Sequence, residues 1–287
     1  MTDCIFASDL HGRLDRYEKL FAVIEGEHPD AVFLGGDLLP NGLAFRPPSD
    51  ASTGDFVNDF LVNELASLRD RLGSTYPEFF VILGNDDPRT EEAAMHDAQT
   101  AGLWSYIHNT RRPLGSYSVY GYSNVPPTPF ALKDWERYDV SRYVDPGCVP
   151  PTEGWRSVPL PDDELEWATI KGDLETLTGD ADLASAVFLF HAPPYKTNLD
   201  RAALDGQKVD HVPLDVHVGS IAIERFIRSR QPLLTLHGHV HESARLTGEW
   251  CERIGRTHAF TAAHDGPELA LVRFDLEHLD GATRELI

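Results

Sequence analysis

An α/β fold is the architecture that this chain of 287 residues predicts, on three observations. Short apolar runs bounded by polar residues or glycine alternate with stretches whose apolar residues recur at helical spacing. Near the N-terminus the order is strand, helix, strand, helix, strand, which implies a parallel sheet with crossover helices. Several of the runs end in Gly, Asp, Asn or His, so polar chemistry collects at the carboxyl ends of strands.

The elements follow in order. CIFASD (4–9) is a first strand, and Leu14, Tyr17, Leu20, Phe21 and Ile24 then mark one face of a helix. AVFLGGD (31–37) is a second strand; after a Pro/Gly/Ser-rich loop (40–54), Phe56, Phe60, Leu61, Leu65 and Leu68 mark another helix. FFVILGND (79–86) is a third strand. Between 113 and 161 lie nine of the twenty prolines, and SYSVYGYS (116–123) alternates like a strand. The rest of that stretch is aromatic-rich and reads as a long ordered loop or cap within a single domain of 1–287, packed down by Trp135, Tyr138, Tyr143 and Trp155. DELEWATIKGDLETL (163–177) is helical, SAVFLFHAPP (185–194) a buried strand, and VGSIAIERFIRSRQ (218–231) a helix whose start Gly219 and Ser220 can serve. PLLTLHGHVH (232–241) is a strand, and short strands near 257–262 and 268–275 finish the chain.

Composition excludes several classes of function. The chain is 41% hydrophobic and 25% charged, an ordinary globular balance, and no apolar run approaches the ~20 residues of a membrane span. The N-terminal MTDCIFASDLHGR has no basic segment followed by an apolar one, so secretion is not expected. Cys4, Cys148 and Cys251 are scattered and odd in number, which fits a reducing cytoplasm rather than a disulfide framework. The net charge of -21 repels polyphosphate backbones and argues against general binding of duplex nucleic acid. It leaves room for a small phosphorylated substrate where cations neutralise the site locally.

Five strands end in metal-ligand chemistry: Asp9 and His11 at the first, Asp37 at the second, Asn85 at the third, His191 at a fourth, and His239 and His241 at a fifth. Sites in open α/β sheets form outside the carboxyl ends of the strands, where these groups can converge. Alternation along an extended chain puts Asp9 and His11 on one side, and His239 and His241 likewise. Histidine and carboxylate without thiolate suit Zn, Mn, Fe, Ni or Co. Seven ligands are too many for one ion with an open position; they suit two divalent transition-metal ions sharing a carboxylate, spaced on the order of 3.5–4 Å. Such a pair makes a hydroxide available at neutral pH for in-line attack on phosphorus. His237, just before the last ligand pair, reads as a supporting strand residue.

The ordered set DLH, GGD, GND, FHAPP and HGHVH, running from residue 9 to residue 241, resembles the calcineurin-like metallophosphoesterase superfamily. The stretch HVGSIAIERFIRSRQPLLTLHGHVHES more narrowly resembles the bacterial and archaeal Icc-related phosphoesterases. The resemblance implies a four-layer α/β/β/α sandwich of two mixed sheets between helices. It also implies that Asp9, His11 and His241 hold one metal, that Asn85, His191 and His239 hold the other, and that Asp37 bridges them. Relatives that cleave monoesters often carry Gly-Asn-His-Asp or Gly-Asn-His-Glu, whose histidine assists the leaving oxygen; this chain has Gly84-Asn85-Asp86-Asp87. Asp86 is therefore a candidate catalytic residue, able to donate a proton only if its pKa is raised, and the expected activity leans to phosphodiesters and other small phosphoesters. Arg89 is a candidate for pairing with a carboxylate or meeting a phosphate. Two other classes stand beside the hydrolase: a non-catalytic protein-binding scaffold, and a nuclease of the same superfamily.

Overall fold

The structure, a computed structural model, describes residues 1–40 and 55–287; the Pro/Gly/Ser-rich loop read from the sequence lies, from residue 41 on, outside them. Strands β1 (Asp3–Ala7), β2 (Ala31–Gly35), β3 (Glu78–Ile82) and the short β4 (Ser105–Tyr106) run parallel, neighbour to neighbour. Helix α1 (Leu14–Glu27) connects the first two; a π-helical stretch (Val57–Val62) running into α2 (Asn63–Leu72) precedes β3, and α3 (Glu92–Thr100) precedes β4. A second sheet begins with β5 (Thr110–Leu114) and β6 (Tyr117–Tyr122), an antiparallel hairpin. Helices α4 (Asp162–Trp167) and α5 (Ile170–Thr178) lead to β7 (Ala186–Phe190), and the minor hairpin β8 (Lys208–Val209) and β9 (Val212–Pro213) precedes α6 (Ile221–Arg230). The chain continues through β10 (Leu234–His237), α7 (Ser243–Thr247), β11 (Cys251–Ile254) and β12 (Thr257–Thr261). It then returns to the first sheet as β13 (Ala270–Asp275) and β14 (Thr283–Leu286). The two six-stranded sheets have the orders β14-β13-β1-β2-β3-β4 and β11-β12-β10-β7-β6-β5.

Both sheets are mixed, and the alternation of strand side chains produces four layers. Ile5, Val32, Leu34, Phe79 and Val81 face α1, α2 and α3, where Leu20, Ile24, Leu65, Leu68 and Met95 meet them. The opposite faces of the same strands, with Phe6, Phe33, Phe80 and Ile82, pack on Val119, Val187, Leu189, Leu234 and Leu236 of the second sheet. The outer face of that sheet, with Phe188 and Phe190, is covered by α5 and α6 through Ile170, Leu174, Ile223 and Ile227. Strands buried on both faces are apolar throughout, which is why AVFLG and AVFLF carry no polar residue. This is the α/β/β/α sandwich expected from the motifs.

The sequence reading is corrected at several elements. The helix expected over 163–177 is two helices, because Thr169 is extended and its side chain accepts from the Gly172 amide, capping a new start. Helix α3, with only Met95 and Ala98 buried, and the edge strands β5, β11 and β14 carried too little apolar periodicity to be read. The strand expected over 116–123 is β6, and Pro113 and Leu114, read as part of the loop, belong to β5 of the same sheet. In the segment that follows, Trp135 and Tyr138 are buried anchors, but Tyr143 and Trp155 stand exposed. Its DWERYD motif is an anchoring device throughout. Asp134 accepts from the Arg89 and Ser157 amides, and Glu136 pairs with the fully buried Lys133 at 2.6 Å. Asp139 accepts from the Ile221 and Ala222 amides and the Ser220 hydroxyl, at the start of α6. Ser220 also caps α6 directly, accepting from Ile223 N. Among the described residues no helix is long and apolar enough to cross a membrane.

Candidate metal centre

The loops beyond β1, β2, β3, β7 and β10 bring together all seven side chains singled out in the sequence. Asp9, His11, Asp37 and His241 each offer a ligand atom within 4.8 Å of the others, and so do Asp37, His191 and His239. Asp37 belongs to both groups. His241 Nε2 lies 3.1 Å from His11 Nε2 and 3.2 Å from Asp9 Oδ1. On the other side, His191 Nε2 lies 3.0 Å from Asn85 Oδ1 and 3.2 Å from Asp37 Oδ2.

Strand alternation does not produce this convergence, contrary to the sequence argument. β1 ends at Ala7 and β10 at His237, and the ligands lie in reversed backbone beyond them. Asp9, His11, Asp37 and His239 all have positive φ, at 57°, 49°, 52° and 71°. Left-handed backbone at non-glycine residues costs on the order of 1–3 kcal/mol each and persists where surrounding bonds over-determine it. Those bonds are present: the amides of Asp9, His11 and Gly12 donate to the carbonyls of Gly36, Asp37 and Leu38, lacing the first two ligand loops together. The glycines before the ligands answer to close approach. A Cβ on Gly84 would stand 2.5 Å from Asp37 N and 2.7 Å from His191 Cε1, and one on Gly238 would stand 2.7 Å from Asp9 Oδ2.

Hydrogen bonds fix the orientation of the donors. His191 Nδ1 is 2.7 Å from the Gly35 carbonyl, which only accepts, so Nδ1 carries a proton and Nε2 is the atom that faces Asn85 and Asp37. Asn85 Nδ2 donates to Asp86 Oδ1, turning Oδ1 toward His191. His237 is buried and faces away: its Nδ1 donates to the Ala192 carbonyl and its Nε2 accepts from Thr235. Burial holds its pKa down at about 4, so it is a neutral strand residue.

Without cations, carboxylates and imidazoles compensate each other. Burial opposes charge on His191 and His241, but Asp37 raises His191 to about 10 and Asp9 raises His241 to about 9. The same pairs hold Asp9 and Asp37 below the usual carboxylate range despite their burial. Burial first and then the His191 charge keep His239 neutral, at about 3. The donor set fits divalent cations on two further grounds. Asp9 Oδ2 is buried with no hydrogen-bond partner among the described residues, a costly state unless another charge meets it. The His11 and His241 Nε2 atoms also converge beside it, 3.1 Å apart, as two ligands of one ion would.

The other candidates are placed as follows. Asp86 donates its amide to Asp37 Oδ1 at 2.8 Å, and its Oδ2 is 3.7 Å from His11 Nδ1. Burial, then the Asp37 charge, raise its carboxyl to about 6. Arg89 pairs with Glu92 at 3.0 Å and lies over the Trp135 ring at 5.1 Å, so the carboxylate partner foreseen for it is present. Asp87 is the residue that the sequence reading passed over. It is fully buried and accepts from the amides of Leu38, Leu39 and Gly84, joining the Asp37 loop to the Asn85 loop.

Comparison with known proteins agrees with this architecture. No curated protein matches the chain. One solved structure superposes with a TM-score of 0.61 at 19% identity, covering 99% of this chain and 98% of the other. A second, TT1561 of Thermus thermophilus, gives 0.56 at 17% identity with the same coverage of 99% and 98%. The model of the calcineurin-like phosphoesterase family matches residues 4–243. The chain therefore belongs to the calcineurin-like phosphoesterase family.

Proposed function

We propose that the protein is a metal-dependent hydrolase of small phosphoesters, phosphodiesters above all, working with two divalent ions. The observation that carries this reading is the membership of Asp37 in both groups of converging ligand atoms. One group would place Asp9, His11 and His241 around a first ion, the other His191 and His239, with Asn85, around a second. Manganese, iron, zinc, nickel and cobalt all suit the donors. When bound, the ions supply a deprotonated water at neutral pH and counter-charge for the phosphoryl oxygens.

The chain's own residues do the rest. Asn85 is a neutral oxygen donor, so it adds no third negative charge beside Asp9 and Asp37. His191 is locked in one tautomer by Gly35. Asp86, beside Asp37 and His11, is the candidate for assisting the leaving group. A carboxyl raised only to about 6 is mostly ionised at neutral pH and has little proton to give, which favours esters whose departing oxygen needs little help. The net charge of -21 supports a small substrate over a nucleic-acid strand, and the full set of ligands supports an enzyme over a scaffold.

The test is a hydrolysis screen of cyclic nucleotides, aryl phosphodiesters and aryl phosphomonoesters with each metal, using Asp37→Ala as the blank. Metal-dependent turnover of diesters absent from Asp37→Ala is the expected result. Metal-free protein that cleaves equally well, or protein that cleaves none of them with any metal, contradicts the reading.

A further inference from the structure

Arg16 is a buried cation with an unusual set of partners. It lies in the first turn of α1 at 5% exposure, and it forms no ion pair with a carboxylate among the described residues. Its Nη1 donates to the Asp9 carbonyl and its Nη2 to the Gly266 carbonyl, both at 2.6 Å. Burying a guanidinium against neutral carbonyls costs several kcal/mol of hydration in the general case, and an apolar side chain of similar length would pack at that place more cheaply. The geometry of its two acceptors explains its presence.

Asp9 holds φ at 57°, and its carboxylate accepts from the His239 amide and faces His241. The guanidinium takes the carbonyl of that same reversed residue. The next residue of α1 acts in parallel: the Tyr17 hydroxyl donates to the Leu38 carbonyl, just beyond Asp37. At the other end of the Arg16 bridge, Gly266 sits in the turn between β12 and β13. A side chain there would strike Glu268 Oε2 at 2.5 Å. That turn is gripped a second time, by Arg245 of α7, whose Nε donates to Asp265 at 2.8 Å; α7 follows His241 directly. One turn thus receives an arginine from the Asp9 side and an arginine from the His241 side.

We propose that Arg16 is a positioning residue that fixes the Asp9 loop against the 262–268 turn and thereby sets affinity for the ion on the Asp9, His11 and His241 side. This rests on the two-ion reading given above. It acts through the backbone of Asp9 and touches neither substrate nor ion.

The test is titration of the metal-free chain with Mn2+, followed by calorimetry and electron paramagnetic resonance, for wild type, Arg16→Met and Arg16→Lys. Loss of a group supporting a metal ligand typically lowers affinity about 10- to 100-fold. Arg16→Met should weaken one of the two binding steps by that factor and leave the other unchanged, with an unaltered circular dichroism spectrum. Arg16→Lys keeps the charge but reaches one carbonyl, so the same step should weaken by less. Wild-type affinity at both steps in either variant overturns the proposal, as does equal weakening of both steps. If Arg16→Met does not fold, Arg16→Lys decides by the same criteria. A wild-type chain that takes up no Mn2+ overturns the two-ion reading, and this inference with it; normal wild-type uptake with normal variants overturns this inference alone.

Discussion

His11 and His241, 230 residues apart in the chain, hold their Nε2 atoms 3.1 Å from each other. Their rings meet edge to face with centroids 5.0 Å apart. In the metal-free chain a proton on one nitrogen bridges the pair, and in the loaded chain a cation can take its place. Asp37 extends the same logic to His191 across the centre. Asp37→Ala should therefore lose at least one bound ion and lower kcat/KM by about 1000-fold or more, since the charge stabilisation removed amounts to several kcal/mol. Metal analysis and steady-state kinetics check this. A variant that retains two ions per chain contradicts the bridging role.

Proton and metal compete for the same imidazoles. His241 and His191 are raised to about 9 and about 10 in the metal-free chain. An imidazole whose folded-state pKa exceeds its unfolded value contributes stability that is fully present below about 6.5 and is lost as pH rises through the folded value. The metal-free protein should thus lose thermal stability between pH 6.5 and 9. Added divalent metal should restore it, with the largest rise in Tm at the alkaline end. Binding at pH 7 should also release protons, visible as a buffer-dependent heat in calorimetry. A metal-free Tm that rises from pH 6.5 to 9 is the contrary result.

Much of this centre was legible because ligand chemistry is written locally. Asp9, His11, Asp37, Asn85, His191, His239 and His241 each follow a short apolar run, and a run buried on both faces announces a strand end. Asp87 and Arg16 were not legible, because each acts by donating to or accepting from backbone groups of a distant loop, and such partners leave no periodicity. The positive φ values at Asp9 and His239 were likewise hidden: nothing in Ser-Asp-Leu-His separates an extended chain from a reversed one. Helix α3 escaped notice because it buries little, and Tyr143 and Trp155 were misplaced because aromatic content signals packing without saying which ring is inside.

Gly84 has no room for a side chain beside Asp37 and His191. Gly84→Ala should cost about 1–3 kcal/mol, the usual range for overpacking a tight site, and lower the Tm by several degrees. It should also weaken metal binding by moving Asp37. Differential scanning calorimetry and metal titration read both effects; an unchanged Tm with full metal content would contradict the close approach.

Trp135 pins the segment after β6 to the centre, donating its indole N–H to the Asp87 carbonyl at 2.9 Å while fully buried. Trp135→Ala should destabilise the fold by roughly 3–5 kcal/mol. Trp135→Phe, which keeps most of the ring but loses the hydrogen bond, should cost closer to 1 kcal/mol plus lost contacts. Urea denaturation of the two variants separates these contributions. Equal losses for both would show that packing contributes nothing beyond the hydrogen bond.

Asp86 occupies the place of the histidine found in many monoesterases of the family. Asp86→His should raise the monoester-to-diester ratio of kcat/KM, because an imidazole is more often protonated near pH 7, and so able to serve the leaving oxygen, than a carboxyl at about 6. Paired kinetics on an aryl monoester and an aryl diester measure it, and an unchanged ratio removes position 86 as the selector.

The most direct measurement is an anomalous-difference map from crystals grown with Mn2+. Two peaks about 3.5–4 Å apart are expected, the spacing of two-metal sites. One should lie among Asp9, His11 and His241, the other among Asn85, His191 and His239, with Asp37 touching both. A single peak, or peaks away from Asp37, would contradict it.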